Sequence, residues 1–171
     1  MNMSKHAKEK EGLVRSGAHG EHPYGDTGQM IFLLVFLVVW VLDSFVFKGT
    51  TFFSASLPLW GRGLIALALL GCAVYLVRSG HRAVSHEVQA EPRVLKDGAF
   101  AHVRHPLYLA SLLFYLFLMA FSVTILSLVV FAGAFLFYNF IAAYEEKSME
   151  ERFGREYTDY KAEVGRWLPK L

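Results

Sequence analysis

The sequence predicts an all-α integral membrane bundle of about four transmembrane helices with short cytoplasmic helices at its C-terminal end, and three observations predict it. Hydrophobic residues make up 54% of the 171 positions and charged residues only 19%, more apolar than a soluble domain of this size. The apolar residues gather into runs that match a bilayer core of about 30 Å, which takes roughly 20 residues of helix to cross. Lysine and arginine then fall on alternate sides of those runs, as they do when they mark the cytoplasmic face.

The first run, 29–47, is apolar except for Gln29, Asp43 and Ser44, and the second, 57–77, is broken only by Arg62 and small residues. Asp43 lies five residues from Lys48 and is expected to reach the interface, because a carboxylate in hydrocarbon is costly. Arg62, between Gly61 and Gly63, is expected to snorkel, and the lone Cys72 to be a small packing residue.

The third tract, 106–144, holds 39 residues without a charged side chain. As one helix it would reach about 60 Å, roughly twice the hydrocarbon thickness, so it is read as a hairpin. The turn falls at Phe121-Ser122-Val123-Thr124, where hydroxyls interrupt the Leu/Phe pattern and can bond freed backbone groups. The crossings are thus 29–47, 57–77, 106–121 and 124–144. The third is short and is expected to tilt little or to be buried among its neighbours.

Charge tests that count independently. Residues 1–28 carry four Lys/Arg, 78–105 five and 145–171 six, whereas the opposite side has Lys48, Arg62 and none at the turn. Both termini and the central loop are therefore expected in the cytoplasm. Topology accounts for the net charge of +2, and nothing points to nucleic acid.

Residues 1–28 read as a flexible cytoplasmic arm that does not resemble a cleaved signal peptide, and residues 29–171 as the membrane domain. The irregular spacing of His6, His19 and His22 fits a solvated tail better than a metal site, and no metal is expected. The 78–105 loop is of a length that is either functional or disordered; Asp97-Gly98 marks a turn in it, and Pro106 suits the first position of the next helix. In the 145–171 tail the fourth helix is expected to run on to Gly154 as its C-cap. A short helix then places Tyr157, Tyr160 and Val164 on one stripe, against the membrane surface or the protein core.

Two polar clusters stand out. Arg104-His105-Pro106-Leu107-Tyr108 opens the third crossing and Glu145-Glu146 closes the fourth. A hairpin returns its chain to the face it left, so guanidinium, imidazole, phenol and carboxylate groups converge beside lipid. Taken singly, Arg104 and His105 read as headgroup anchors, Glu145 to Glu151 as a solvated helix face with pairs such as Glu151–Arg155, and Tyr157 and Tyr160 as interfacial aromatics.

Taken in order, these pieces resemble a known family. Leu95-Lys96-Asp97-Gly98-Ala99-Phe100, Arg104-His105-Pro106-Leu107-Tyr108, a hairpin, Glu145-Glu146, Phe153-Gly154-Arg155-Glu156-Tyr157, Tyr160 and Arg166-Trp167-Leu168-Pro169 are similar to the isoprenylcysteine carboxyl and phospholipid methyltransferases. Those proteins show G-x-Y, R-H-P-x-Y, E-E and F-G-x-x-Y-x-x-Y at like spacing, and the match covers about 77 residues. The resemblance implies a membrane enzyme that moves a methyl group from S-adenosylmethionine, bound at the cytoplasmic face, to a lipophilic or amphiphilic acceptor from the bilayer. It implies that Val94, Leu95, Phe100, His105, Pro106, Leu107, Tyr108 and Glu145 hold the cofactor. Arg104 and Glu146 are the catalytic candidates: Arg104 or His105 as a donor toward the cofactor's carboxylate, Glu146 or His105 as base for an amine acceptor. Two positions depart from the pattern. Phe100 stands where the family has a tyrosine, and Ile141 where the prenylcysteine enzymes have a substrate arginine, which argues against a prenylcysteine carboxylate.

Two other readings compete. A sterol-type, NADPH-dependent reductase shares an R-H-P-x-Y-like motif, but the Glu145-Glu146 pair and the short chain favour the methyltransferase. A scaffold or small transporter predicts polar residues lining a path through the bilayer, and these crossings hold almost none.

Overall fold

The computed structural model describes residues 25–48, 58–87, 93–122 and 124–170. Among the described residues five α-helices carry the fold: α1 Gly25–Val41, α2 Leu59–Glu87, α3 Pro106–Phe121, α4 Ile125–Phe153 and α5 Arg155–Glu163. Three of them, α1 with its extension, α2 and α4, are long and apolar enough to cross a membrane, and α3 is a shorter apolar helix beside them. The chain is an all-α membrane bundle. His6, His19 and His22 lie outside the described residues.

Helix α1 begins at Gly25, earlier than the expected 29, and runs into a π-helical segment, Leu42–Phe47. A wider turn re-phases the side chains that follow it. Asp43 and Ser44 are turned inward and buried at 4% and 8% exposure, so Asp43 meets protein rather than open solvent at the end of the first crossing.

Helix α2 continues ten residues past 77, so the first part of the presumed loop is helix. Packing explains the extension, since Gly80 and Ala83 are buried beneath the segments that follow. Cys72 is exposed on the outside of α2 rather than packed.

Helix α3 starts at Pro106 as expected. Its missing N–H falls where no intrahelical partner exists. At 16 residues it spans about 24 Å, short of the hydrocarbon core, and it is the helix most embedded among its neighbours. Its carbonyl end is closed by other helices: Trp40 Nε1 donates to the Ser122 carbonyl at 3.0 Å and Arg62 Nη1 to that of Phe121 at 3.3 Å. Arg62 thus caps a helix end, a use the sequence did not disclose. Across the turn, Thr124 and Ser127 form a reciprocal capping box, with Thr124 Oγ1 accepting from Ser127 N at 3.0 Å. Such caps contribute about 1 kcal/mol.

The membrane core gathers Phe36 of α1, Leu112, Tyr115 and Met119 of α3, and Ala134 and Tyr138 of α4. Phe36 meets Tyr115 edge to face, centroids 4.7 Å apart. A smaller cluster at the end bearing the polar motifs joins Val94 to Tyr157, Tyr160 and Val164. It places the C-terminal stripe against the protein core.

Candidate functional site

The segment before α3 is pinned from both sides. Gly98 adopts φ +60° and opens a single 3-10 turn, Gly98–Ala101. That turn docks on α2 through Ala99 N, which donates to Ser79 Oγ at 2.8 Å. From the other side Tyr160 Oη donates to the Phe100 carbonyl at 2.7 Å. Three residues on, Val103 bridges Gly165 in parallel and Arg104 N donates to the Gly165 carbonyl at 2.9 Å. The C-terminal tail therefore lies over the entry to α3.

Beneath it sits a buried ion cluster centred on Glu146, which is 1% exposed. Arg104 contacts its Oε1 through Nε at 3.0 Å and Nη2 at 2.9 Å. Arg166 reaches both oxygens, Nε to Oε1 at 2.8 Å and Nη2 to Oε2 at 2.7 Å. Lys161 Nζ lies 3.6 Å from Oε2 and pairs with Glu150 at 2.6 Å. The outer faces of both guanidiniums are also occupied. Arg104 Nη1 donates to the carbonyls of Lys161 and Val164, and Arg166 Nη1 to Asn139 Oδ1 at 2.8 Å. A carboxylate so deeply desolvated is tolerated only because its lone pairs are all met.

His105 joins this cluster to the neighbouring glutamate. Its Nε2 lies 3.2 Å from Glu146 Oε1 and its Nδ1 3.6 Å from Glu145 Oε2. Burial holds the imidazole below its ordinary pKa of 6.5; the contact with Glu146 opposes the shift, and Arg104 and Arg166 add to it. The neutral ring stacks on Tyr108, centroids 5.6 Å apart and planes 4° from parallel. Tyr108 Oη in turn donates to Glu145 Oε1 at 2.5 Å.

Val94, Leu95, Phe100, Arg104, His105, Pro106, Leu107, Tyr108 and Glu145 all line one cavity of about 330 Å³, within the usual size of ligand sites. Glu146 is the exception among the expected site residues. One helical step from Glu145, it faces the ion cluster and does not line the cavity. Several lining residues went unnoticed in the sequence as site residues: Gly25, Asp26 and Gln29 of α1, His81 and Val84 of α2, Met149 of α4. Gln29 was visible as the polar start of an apolar run. Tyr157 and Tyr160 also line the cavity, and burial raises both phenol pKa values. Their i, i+3 spacing signalled a shared face, though not which surface would cover it.

The cavity can hold a small polar ligand against aromatic rings and carboxylates. Asp26 and Glu145 line it, and its arginine is already engaged by Glu146. Among the described residues no group of three or more His, Cys, Asp or Glu is placed to hold a metal ion.

A family model described as "Protein of unknown function (DUF1295)" matches residues 22–164, which takes in the cavity lining and all of the ion cluster but Arg166. No curated protein and no solved structure matches the chain.

Proposed function

We propose, for a chain that belongs to this DUF1295 family, an activity read from the cavity: an integral membrane methyltransferase that transfers a methyl group from S-adenosylmethionine to a lipophilic or amphiphilic acceptor. The observation that carries the reading is the shared cavity itself. Val94, Leu95, Phe100 and Arg104 to Tyr108 on one side of the α3–α4 hairpin and Glu145 on the other line it together with Tyr157 and Tyr160, and these are the pieces whose order resembles the membrane methyltransferases.

The donor set suits that cofactor. Its sulfonium and ammonium are cations, and the cavity offers Glu145, Asp26 and the stacked faces of His105 and Tyr108. Buried Val94, half-buried Leu95 and the Phe100 ring on the cavity wall suit an adenosine. A dinucleotide carrying several phosphates would meet two carboxylates and an arginine already neutralised, which disfavours the reductase reading.

When bound, the cofactor supplies an activated methyl carbon, so the protein's part is positioning and exclusion of water. Glu145 and Tyr108 orient the ligand. His105, neutral and on the cavity wall, is the group able to take a proton from an amine acceptor. Arg104 and Glu146 act as positioning residues, holding His105 and the tail in place. On the distribution of lysine and arginine the cavity end is cytoplasmic, and the acceptor reaches the cavity from the bilayer.

Calorimetric titration of the purified protein in detergent with S-adenosylhomocysteine and, separately, with NADPH tests this reading. Binding of the thioether, lost in Glu145→Ala and His105→Ala, supports it. NADPH binding without thioether binding replaces it with the reductase reading.

A further inference from the structure

A second cleft, of about 650 Å³, lies on the outer side of α2 where it meets the Asp97–Gly98 turn. Its floor is one face of α2: Gly71, then Val74 and Tyr75, then Arg78 and Arg82. The spacing, i, i+3, i+4, i+7 and i+11, keeps these residues in one row. The row covers about 16 Å of helix.

The lower half is apolar and faces outward, with Val74 41% and Tyr75 56% exposed. Gly71 leaves a gap in the helix surface, and nothing lies within 4 Å of where its side chain would be. The upper half is cationic. Arg78 is the first charged residue after the apolar run that follows Arg62, which places it at the edge of the hydrocarbon layer. Neither Arg78 nor Arg82 pairs with a carboxylate among the described residues. The acid on the cleft wall, Asp97, is held at 2.8 Å by Arg93. Among the described residues, then, two guanidiniums without a carboxylate partner sit above an apolar slot.

We propose that this cleft binds one anionic phospholipid from the bilayer, its phosphate between Arg78 and Arg82 and an acyl chain along Tyr75, Val74 and Gly71. Guanidinium forks match phosphate oxygens in geometry and charge. Tyrosine at the headgroup level completes the amphiphilic fit. Arginines that merely record topology need no slot beneath them, and the row from Gly71 to Arg82 supplies one. The inference is independent of the methyl-transfer reading, since Gly71, Tyr75 and Arg82 do not line the first cavity.

Native mass spectrometry of the full chain, released from micelles containing equal phosphatidylglycerol and phosphatidylcholine, tests it. Each arginine near an anionic headgroup favours binding about five-fold, so the parent is expected to retain the anionic lipid by roughly twenty-five-fold over the zwitterionic one. Arg78→Gln with Arg82→Gln brings the ratio near parity, Arg155→Gln on the exposed tail helix leaves it unchanged, and Gly71→Leu reduces retention of lipid altogether. Undiminished selectivity in the double variant overturns the proposal. Displacement of the lipid by millimolar glycerol 3-phosphate, together with unchanged retention in Gly71→Leu, also overturns it and assigns the site to a soluble phosphate.

Discussion

Arg104 and Glu146, 42 residues apart in the chain, meet at 2.9 Å between Nη2 and Oε1, with side-chain exposures of 7% and 1%. The contact ties the entry of α3 to the exit of α4. Through Arg104 Nη1 it also ties both to the carbonyls of the C-terminal tail.

Removing one partner of such a pair leaves buried charge uncompensated. Glu146→Ala strands Arg104 and Arg166 together, and the expected loss is about 3–5 kcal/mol. Thermal unfolding in detergent should show Glu146→Ala far below the parent and Glu146→Gln between them. A melting temperature unchanged in Glu146→Ala would mean that water already enters the cluster.

Glu145 has the opposite role despite being the adjacent residue. It lines the cavity and accepts from Tyr108. Glu145→Gln and Tyr108→Phe are expected to keep the parent's melting temperature within a few degrees. A hydrogen bond to a charged group contributes about 1.5–3 kcal/mol, so their affinity for S-adenosylhomocysteine should fall roughly 10- to 150-fold. Parent-like affinity in both variants would remove Glu145 from the ligand site.

His105 makes stability depend on pH. Its folded-state pKa lies below the ordinary 6.5 because burial disfavours the imidazolium. The unfolded chain takes up the proton first as pH falls, so the stabilisation is complete above 6.5 and is lost progressively as pH drops toward the lowered value. Melting curves from pH 8 to about 5 should fall more steeply for the parent than for His105→Gln, which has no imidazole to protonate. Parallel curves would mean that burial leaves the imidazole with the same proton affinity folded as unfolded.

Two glycines with positive φ separate strain from crowding. Gly154, φ +54° and ψ −123°, ends α4 with nothing within 4 Å of an added Cβ, so Gly154→Ala should cost about 1–3 kcal/mol of backbone strain alone. At Gly98, φ +60°, the added carbon would also stand 2.7 Å from Ser79 Oγ, which holds the Ala99 amide. Gly98→Ala should therefore destabilise more and also weaken ligand binding, because Phe100 moves with the turn. Equal unfolding temperatures for the two variants would contradict the docking of that turn on α2.

Much of the architecture is legible locally because its causes are local. Charge-free runs longer than a bilayer crossing, Pro106 at the head of α3 and Gly154 at the foot of α4 each act within a turn or two of chain. Part of the cavity's lining was legible for a related reason, since Arg104 to Tyr108 and Glu145 sit at helix ends that a hairpin must bring to the same side. The inward turn of Asp43 and the extension of α2 to Glu87 depend on what packs against them. Neighbours distant in sequence decide such features.

The sequence by itself determined a membrane helical bundle and the end of it where the polar groups collect, because hydrophobic length and charge position are properties of single segments. Tertiary structure alone decided that Glu145 faces the cavity while Glu146 is sealed among Arg104, Arg166 and Lys161. Adjacent residues on a helix point about 100° apart, so two chemically identical carboxylates meet different surroundings. Those surroundings are supplied by Arg104 from before α3 and by Lys161 and Arg166 from the tail folded over it.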